Sequence, residues 1–81
     1  MEIIHQPEEN RFIAVVDGST AYVEYQLVNG AMDIIHTIVP PEIGGRGIAG
    51  ELVKTAYEYA SAQGWERKAT CSYAARWLEK H

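Results

Sequence analysis

The chain has 81 residues, of which 47% are hydrophobic and 22% are charged. This composition is typical of one small globular domain, which we expect to span residues 1–81, and it excludes a mainly disordered chain. The formal net charge of −4, from 11 acidic and 7 basic residues, argues against nucleic-acid binding and against a general role on anionic membranes. No apolar run approaches the roughly 18 residues of a membrane span, and no secretory signal is visible.

Cys71 is the single cysteine, so a disulfide within the chain is excluded, and a reducing cytoplasm is the expected compartment. One cysteine and three scattered histidines do not have the spacing of metal ligands, so we predict no metal site. The acidic balance still allows a single anionic ligand, because backbone N–H groups can bind phosphate without any side-chain charge.

The first half of the sequence predicts an antiparallel meander of strands. Asp-Gly and Asn-Gly pairs, which tolerate positive φ, separate runs rich in β-branched and aromatic residues. A short strand at Ile3–His5 is predicted to precede these runs. The three main strands are predicted over Arg11–Val16, Ala21–Val28 and Ala31–Val39, with the last one stopped by Pro40-Pro41.

The second half predicts a helix, a strand and a helix after a glycine-rich loop. Apolar residues recur every fourth position from Ile48 to Ala60, and Gly64 is the expected helix stop. Lys68–Cys71 is predicted as a short strand, and Tyr73–Lys80 as a final helix capped by Ser72. The predicted order is therefore β-β-β-α-β-α, with a right-handed parallel crossover through the long helix.

The loop before the long helix has the features of a phosphate cradle. Glycines let backbone N–H groups approach a ligand, and the first helical turn adds unpaired donors and a positive dipole end. A loop that is glycine-rich only because its turn is tight is the alternative. The nucleoside-triphosphate loop is excluded because no Gly-Lys-Ser/Thr occurs, and the dinucleotide fingerprint because a meander precedes the loop.

Val39 to Gly50 resembles the signature of the GCN5-related N-acetyltransferases, which is Arg/Gln-x-x-Gly-x-Gly/Ala at a strand–helix junction. Gly44-Gly45-Arg46-Gly47-Ile48-Ala49 occupies the six positions: Gly47 and Ala49 match, whereas Gly44 departs from Arg/Gln. His36-Thr37-Ile38-Val39-Pro40 and Cys71-Ser72-Tyr73 resemble the motifs of a small, single-domain branch of that family. The resemblance implies a mixed α/β (α+β) fold with a meander, a central helix, a splayed parallel strand and a C-terminal helix.

The resemblance also implies acetyl-CoA as co-substrate. The pantetheine arm would lie along Ile34–Val39, beside the splayed strand Lys68–Cys71. The residues expected to contact CoA are Ile38 and Val39 on the strand and Gly44, Gly45, Arg46, Gly47, Ile48, Ala49 and Gly50 in the cradle. Of the cations able to pair with CoA phosphates, Arg46 is the first candidate because it lies in the loop. Arg76 and Lys80 are the others, with solvated surface charge as their alternative role.

Cys71 and His36 are the candidate catalytic residues. A thiol at a helix N-terminus has a lowered pKa and can accept an acetyl group by thioester exchange, although a lone cysteine is more often structural. His36 can act as a base, or it is a structural or solvent-facing histidine. Tyr73 is expected to pack rather than to protonate CoA.

These observations predict an acetyl-CoA-dependent N-acetyltransferase, with an acetyl-cysteine intermediate on Cys71 as one route. The acceptor, an amine or thiol of a small molecule or a protein lysine, is not identified by the sequence. One alternative is a non-catalytic CoA- or acyl-CoA-binding module. A small interaction module whose glycine loop is only structural is another.

Overall fold

Five strands form one sheet in chain order, and two helices cover one of its faces. The structure is a computed structural model that describes residues 1–81. Two short 3-10 turns, at residues 7–9 and 41–43, interrupt the strands and the loop. The main elements are β1 (Ile4–Gln6), β2 (Arg11–Val16), β3 (Ser19–Val28), β4 (Ala31–Ile38), α1 (Ile48–Ala62), β5 (Glu66–Ala69) and α2 (Ser72–Lys80).

The predicted meander is confirmed, with tight two-residue turns at both main hairpins. Asp17 and Gly18 have φ of +50° and +79°, and Asn29 and Gly30 have φ of +50° and +78°. Such paired positive values match the right-handed twist of the flanking strands. Because the first turn needs only two residues, β3 begins at Ser19, which is two residues earlier than the predicted start at Ala21.

Strand β5 runs parallel to β4, as predicted, but it lies two residues earlier in the chain than Lys68–Cys71. The Glu66 N–H donates to the Gly30 carbonyl at 3.0 Å, which begins the pairing. The pairing ends at Ala69, opposite Ile34. Three of the four residues of β5 are exposed and polar, so the strand carries no hydrophobic signal in the sequence. Its position is fixed by hydrogen bonds to β4.

Helix α1 supplies one side of the hydrophobic core. Its apolar residues recur at helical spacing, and those that are fully buried face the inner residues of the sheet. Gly64, with φ of +80°, follows the helix and ends it as predicted. The largest fully buried side chains are Tyr57, Met32, Ile34, Ile43, Leu52, Val23 and Val53.

Both helices pack on the same face, because Ala74 of α2 joins the core cluster and Trp77 contacts Tyr57 of α1, with ring centroids 5.8 Å apart. The molecule is therefore a two-layer slab of 36 × 27 × 17 Å with a radius of gyration of 11.9 Å. Neither helix has the length and apolar character needed to cross a membrane. Helix α1 begins after β4, through the glycine loop, and α2 begins after β5, so both helix N-termini lie at the carboxyl ends of these two strands.

Candidate cofactor-binding and active site

The loop between β4 and α1 is a short 3-10 turn, Pro41–Ile43, followed by glycines. Gly45 and Gly47 both have φ of +76°, a conformation that residues with a side chain rarely adopt. A Cβ atom on either glycine would enter open space, with no atom within 4 Å. The backbone path therefore requires glycine, and the space that a side chain would fill is left free for a ligand.

A cavity of about 260 Å³ lies against this loop. Its lining comes from the end of β4, the loop, the first turn of α1 and one residue of α2: Val39, Ile43, Gly44, Gly45, Gly47, Ile48, Ala49, Gly50 and Tyr73. Of the residues predicted to contact CoA, only Ile38 and Arg46 do not line the cavity. Ile43 and Tyr73 also line the cavity, although neither was predicted to contact CoA.

Helix α1 begins beside this cavity with unpaired backbone donors. Its N-cap is Gly47, which has no side chain to satisfy them. The first bond of the helix runs from the Glu51 N–H to the Gly47 carbonyl at 3.2 Å. The N–H groups of Ile48, Ala49 and Gly50 therefore have no acceptor within the helix. Together with the positive end of the helix dipole, they suit an anion such as a phosphate.

The Arg46 side chain is paired with the β2–β3 turn. Its Nη1 lies 2.6 Å from Asp17 Oδ2, with 49% of the arginine and 68% of the aspartate side chain exposed. Nearby, the Ser19 hydroxyl donates to the Glu42 carboxylate at 3.1 Å. These two contacts tether the loop to the hairpin. To pair with a phosphate as predicted, the Arg46 side chain must therefore either release Asp17 or contact Asp17 and the phosphate at the same time.

Beyond Ile34, β4 and β5 separate. The N–H groups of Thr70 and Cys71 both donate to the Ile34 carbonyl, at 3.1 and 3.0 Å, and the chain then turns into α2. Strand β4 continues to Ile38, where it still pairs with β3. The end of β4 therefore has a strand partner on one side only. On its other side, strand pairing has stopped and β4 faces the start of α2; we call this place, bordered by Thr37 and Cys71, the opening.

A β-bulge decides which side chains of β4 face this opening. Tyr25 of β3 pairs with Ile34 and Glu24 pairs with His36, so Ile35 is an extra residue on β4. After the bulge, Thr37 lies opposite the buried Val23, on the face covered by the helices. Strict alternation places Ile34, His36 and Ile38 on one face, and the bulge makes that expectation wrong.

Cys71 is the N-cap of α2, with Ser72 as the first helical residue, so the predicted capping by Ser72 is wrong. The half-buried thiol lies with Sγ 3.4 Å from Thr37 Oγ1. Partial burial raises the pKa of the Cys71 thiol. Hydrogen bonding by Thr37 and by the backbone N–H groups of Ala74 and Tyr73 outweighs burial, and the net pKa lies below the ordinary value. At a given pH, a larger fraction of Cys71 is therefore thiolate than for an ordinary cysteine.

His36 does not join Cys71. It is exposed and pairs with Glu24, on the face of the sheet opposite the helices. Ile38 is on that face too, 44% exposed, opposite Tyr22. The structure thus brings Cys71 together with Thr37 rather than with His36. Thr37 was missed because only the bulge, which has no local signal in the sequence, turns it inward.

No three His, Cys, Asp or Glu side chains lie together in a way that could hold a metal ion. The groups in the loop that can hold an anion are its backbone N–H groups and the Arg46 side chain.

The five-stranded sheet, the crossover helix and the glycine loop together form the mixed α+β architecture that the sequence predicted for an acetyltransferase. A model of the GCN5-related N-acetyltransferases matches residues 11–81. The solution NMR structure of a GCN5-like protein from Staphylococcus aureus, described as a candidate N-acetyltransferase, is 34% identical and superposes with a TM-score of 0.76. The match covers 98% of this chain and 78% of that one.

The chain belongs to the GCN5-related N-acetyltransferase family. The predicted family and mixed α+β fold are therefore confirmed. Family membership supports an acetyltransferase activity, for which members generally use acetyl-CoA.

Proposed function

We propose that this protein transfers the acetyl group of acetyl-CoA to an amine, and that Cys71 is the first acceptor. The observation that carries the proposal is the Cys71 thiol, which lies 3.4 Å from the Thr37 hydroxyl where β4 and β5 separate. A thiolate at a helix N-terminus is a competent nucleophile toward a thioester. The resulting enzyme is an acetyl-CoA-dependent N-acetyltransferase.

In this proposal, the CoA diphosphate binds to N–H groups of residues 44–50 and of the first turn of α1. The free space beside Gly45 and Gly47 and the unpaired donors after Gly47 support this placement. The pantetheine arm follows the end of β4, past Val39, on the side that β5 leaves open. The acetyl thioester then lies in the opening that Cys71 and Thr37 border.

The transfer takes two balanced steps. First, the Cys71 thiolate attacks the carbonyl carbon of acetyl-CoA, a new carbon–sulfur bond forms, and the bond to the CoA sulfur breaks. The CoA thiolate leaves and takes a proton from solvent. Second, the acceptor amine attacks acetyl-Cys71, the amide bond forms, and the Cys71 thiolate is released while the amine proton passes to solvent. The Thr37 hydroxyl donates to the Cys71 sulfur whenever the latter is a thiolate.

Mass spectrometry after treatment with acetyl-CoA alone tests the covalent step. The wild-type protein should gain one acetyl group on Cys71, and hydroxylamine should remove it because it is a thioester. Cys71→Ala should still bind CoA but gain no adduct at that position. Ser72→Ala, which changes the neighbouring residue and spares the thiol, is the matched control and should be acetylated like the wild type.

Transfer by Cys71→Ala to an acceptor amine at the wild-type rate would contradict the covalent route and indicate direct attack by the amine on acetyl-CoA. Tight CoA binding without acetylation of Cys71 or of any amine tested would favour the second candidate, a non-catalytic CoA-binding module. The position of His36 favours that candidate, because His36 lies on the face opposite Cys71 and cannot deprotonate an amine there.

CoA binding itself is tested by thermal unfolding. A ligand present at 100 times its dissociation constant adds about 2.7 kcal/mol to the free energy of unfolding. Absence of any shift at millimolar CoA would contradict both candidates and leave the glycine loop a structural turn.

A further inference from the structure

A second cavity, of about 300 Å³, adjoins the loop cavity. It lies between the first turn of α1 and the outer side of α2, and its lining is Gly50, Tyr73, Arg76, Trp77, Lys80 and His81. Gly50 and Tyr73 also line the loop cavity, so the two cavities are neighbours that share these two residues. The Tyr73 hydroxyl marks the boundary, since a Cβ atom on Gly50 would lie 3.4 Å from it.

The second cavity has unpaired positive charge in an acidic protein. Arg76 and Lys80 are four residues apart on α2, so they lie on the same side of the helix. The one ion pair of the protein is that between Arg46 and Asp17, so neither cation of α2 has a carboxylate within 4 Å. Lys80 lies in the last turn, where a cation stabilises the helix dipole, but Arg76 does not. No acidic side chain lines the cavity.

An aromatic pair forms the wall beside these cations. The rings of Trp77 and His81 are stacked, with centroids 4.2 Å apart and planes 17° apart. Trp77 also contacts the buried Tyr57 of α1, with ring centroids 5.8 Å apart, so this aromatic wall packs against the core. A flat aromatic surface beside two cations suits a purine nucleoside that carries a phosphate.

CoA contains these groups in this order. Its ribose carries the diphosphate on the 5′ oxygen and a phosphate monoester on the 3′ oxygen, and adenine on the same ring. A ligand with its diphosphate on the loop therefore has a second phosphate one ribose away. The larger cavity between α1 and α2 is a poorer candidate, because it shares no residue with the loop cavity and Glu58 lines it.

We propose that the cavity between Gly50 and Lys80 binds the 3′-phosphoadenosine end of CoA, with Arg76 and Lys80 on the 3′-phosphate and the Trp77–His81 pair against the adenine. This proposal rests on the proposed function, since it takes the diphosphate to lie on the loop. It assigns the choice between CoA and 3′-dephospho-CoA to two side chains of α2 rather than to Arg46. Arg76 and Lys80 are then specificity-determining residues.

Isothermal titration of the wild type with CoA and with 3′-dephospho-CoA tests the proposal. We expect CoA to bind at least tenfold tighter. The double variant Arg76→Gln/Lys80→Gln should bind the two ligands equally, with the affinity for dephospho-CoA unchanged. Lys54→Gln, which removes a cation from the neighbouring cavity, is the matched control and should keep the tenfold preference. His81→Ala should weaken binding of both ligands by the same factor, because both carry adenine.

Equal affinities of the wild type for the two ligands would overturn this proposal and leave the proposed function standing. So would a double variant that keeps the wild-type preference. If neither ligand binds to the wild type, the proposed function fails and this inference fails with it. A double variant that loses affinity for both ligands alike would also overturn it, because the cations would then not act on the 3′-phosphate.

Discussion

The Cys71 sulfur and the Thr37 hydroxyl lie 3.4 Å apart, although their residues come from a helix N-terminus and from a strand that has lost its parallel neighbour. No β-sheet hydrogen bond joins Thr37 to Cys71, because the pairing of β4 with β5 ends at Ile34 and Ala69. The contact therefore ties the two sides of the opening through groups that can also take part in chemistry.

Thr37→Val should raise the pKa of the Cys71 thiol, because valine keeps the shape of threonine but cannot donate to the thiolate. Loss of a hydrogen bond worth about 1 kcal/mol should slow alkylation by iodoacetamide roughly fivefold near pH 7. The rates of variant and wild type should converge at alkaline pH, where both thiols are ionised. Thr20→Val, at an exposed position of β3, should leave the profile unchanged; a shift there, or none in Thr37→Val, would refute the assigned role of Thr37.

Gly47→Val should weaken CoA binding at least about tenfold, equivalent to about 1.4 kcal/mol, because its side chain enters the space beside the loop. Strain at positive φ should also cost about 1–3 kcal/mol of folding stability. Gly18→Val separates the two effects: Gly18 has φ of +79° and equally open surroundings, but lies in the β2–β3 turn. It should lose similar stability and keep full CoA affinity in calorimetric titration. Equal loss of affinity in both variants would mean that strain, not blocked space, is the cause.

Asp17→Asn should tighten CoA binding by about 1.4- to fivefold at low salt, because it releases Arg46 beside the loop. The factor corresponds to an exposed ion pair of about 0.2–1 kcal/mol. Asparagine tolerates the positive φ of Asp17, so the turn should persist. Glu42→Gln removes the same charge from the loop but spares the Arg46–Asp17 pair, and should not reproduce the effect. Weaker binding by Asp17→Asn would indicate that Asp17 positions the loop for its ligand.

Because of His5, the free energy of unfolding should decrease as the pH is lowered below neutral. Its ring stacks on Phe12 at 4.0 Å, and its Nε2 lies 2.6 Å from the Tyr25 hydroxyl. Burial lowers the pKa of His5 below 6.5, so the unfolded chain takes up this proton first. The stability given by neutral His5 is therefore complete above the unfolded pKa and is lost as pH falls through the lower folded pKa.

The difference in unfolding free energy between about pH 7.5 and about pH 5 measures this contribution. The difference should shrink in His5→Asn. It should not change in His36→Asn, since His36 is exposed on the open face of the sheet. An unchanged difference in His5→Asn would assign the acid sensitivity to other groups.

Local chemistry explains which features the sequence predicted well. The turns at Asp17-Gly18 and Asn29-Gly30, the helix from Ile48, and the stop at Gly64 each depend on the φ preferences or the periodicity of nearby residues. The glycine loop belongs to the same group, because positive φ at Gly45 and Gly47 leaves few other choices of residue. These features were predicted within two residues.

Features that depend on distant partners were predicted inaccurately or not at all. Arg46 lies in the glycine loop, but its contact with Asp17 spans 29 residues. Strand β5 is polar and is placed by the edge of β4. The inward turn of Thr37 follows from an extra residue on β4 that β3 does not match. In each case the deciding interaction joins residues that are far apart in the sequence, so the local sequence pattern does not indicate it.

The extra residue at Ile35 determines which of the later side chains of β4 face the helices and which face the open side of the sheet. Sheet side chains have only two phases, inward and outward, and one added residue exchanges them for everything that follows. Removing Ile35 would restore regular pairing with β3 and leave Thr37 opposite Val23, because the pairs on both sides of the bulge would be unchanged. One residue added between His36 and Thr37, with regular pairing kept, would instead turn Thr37 outward and bring Ile38 inward. Such an insertion would place a hydrocarbon side chain beside Cys71, where the Thr37 hydroxyl now lies.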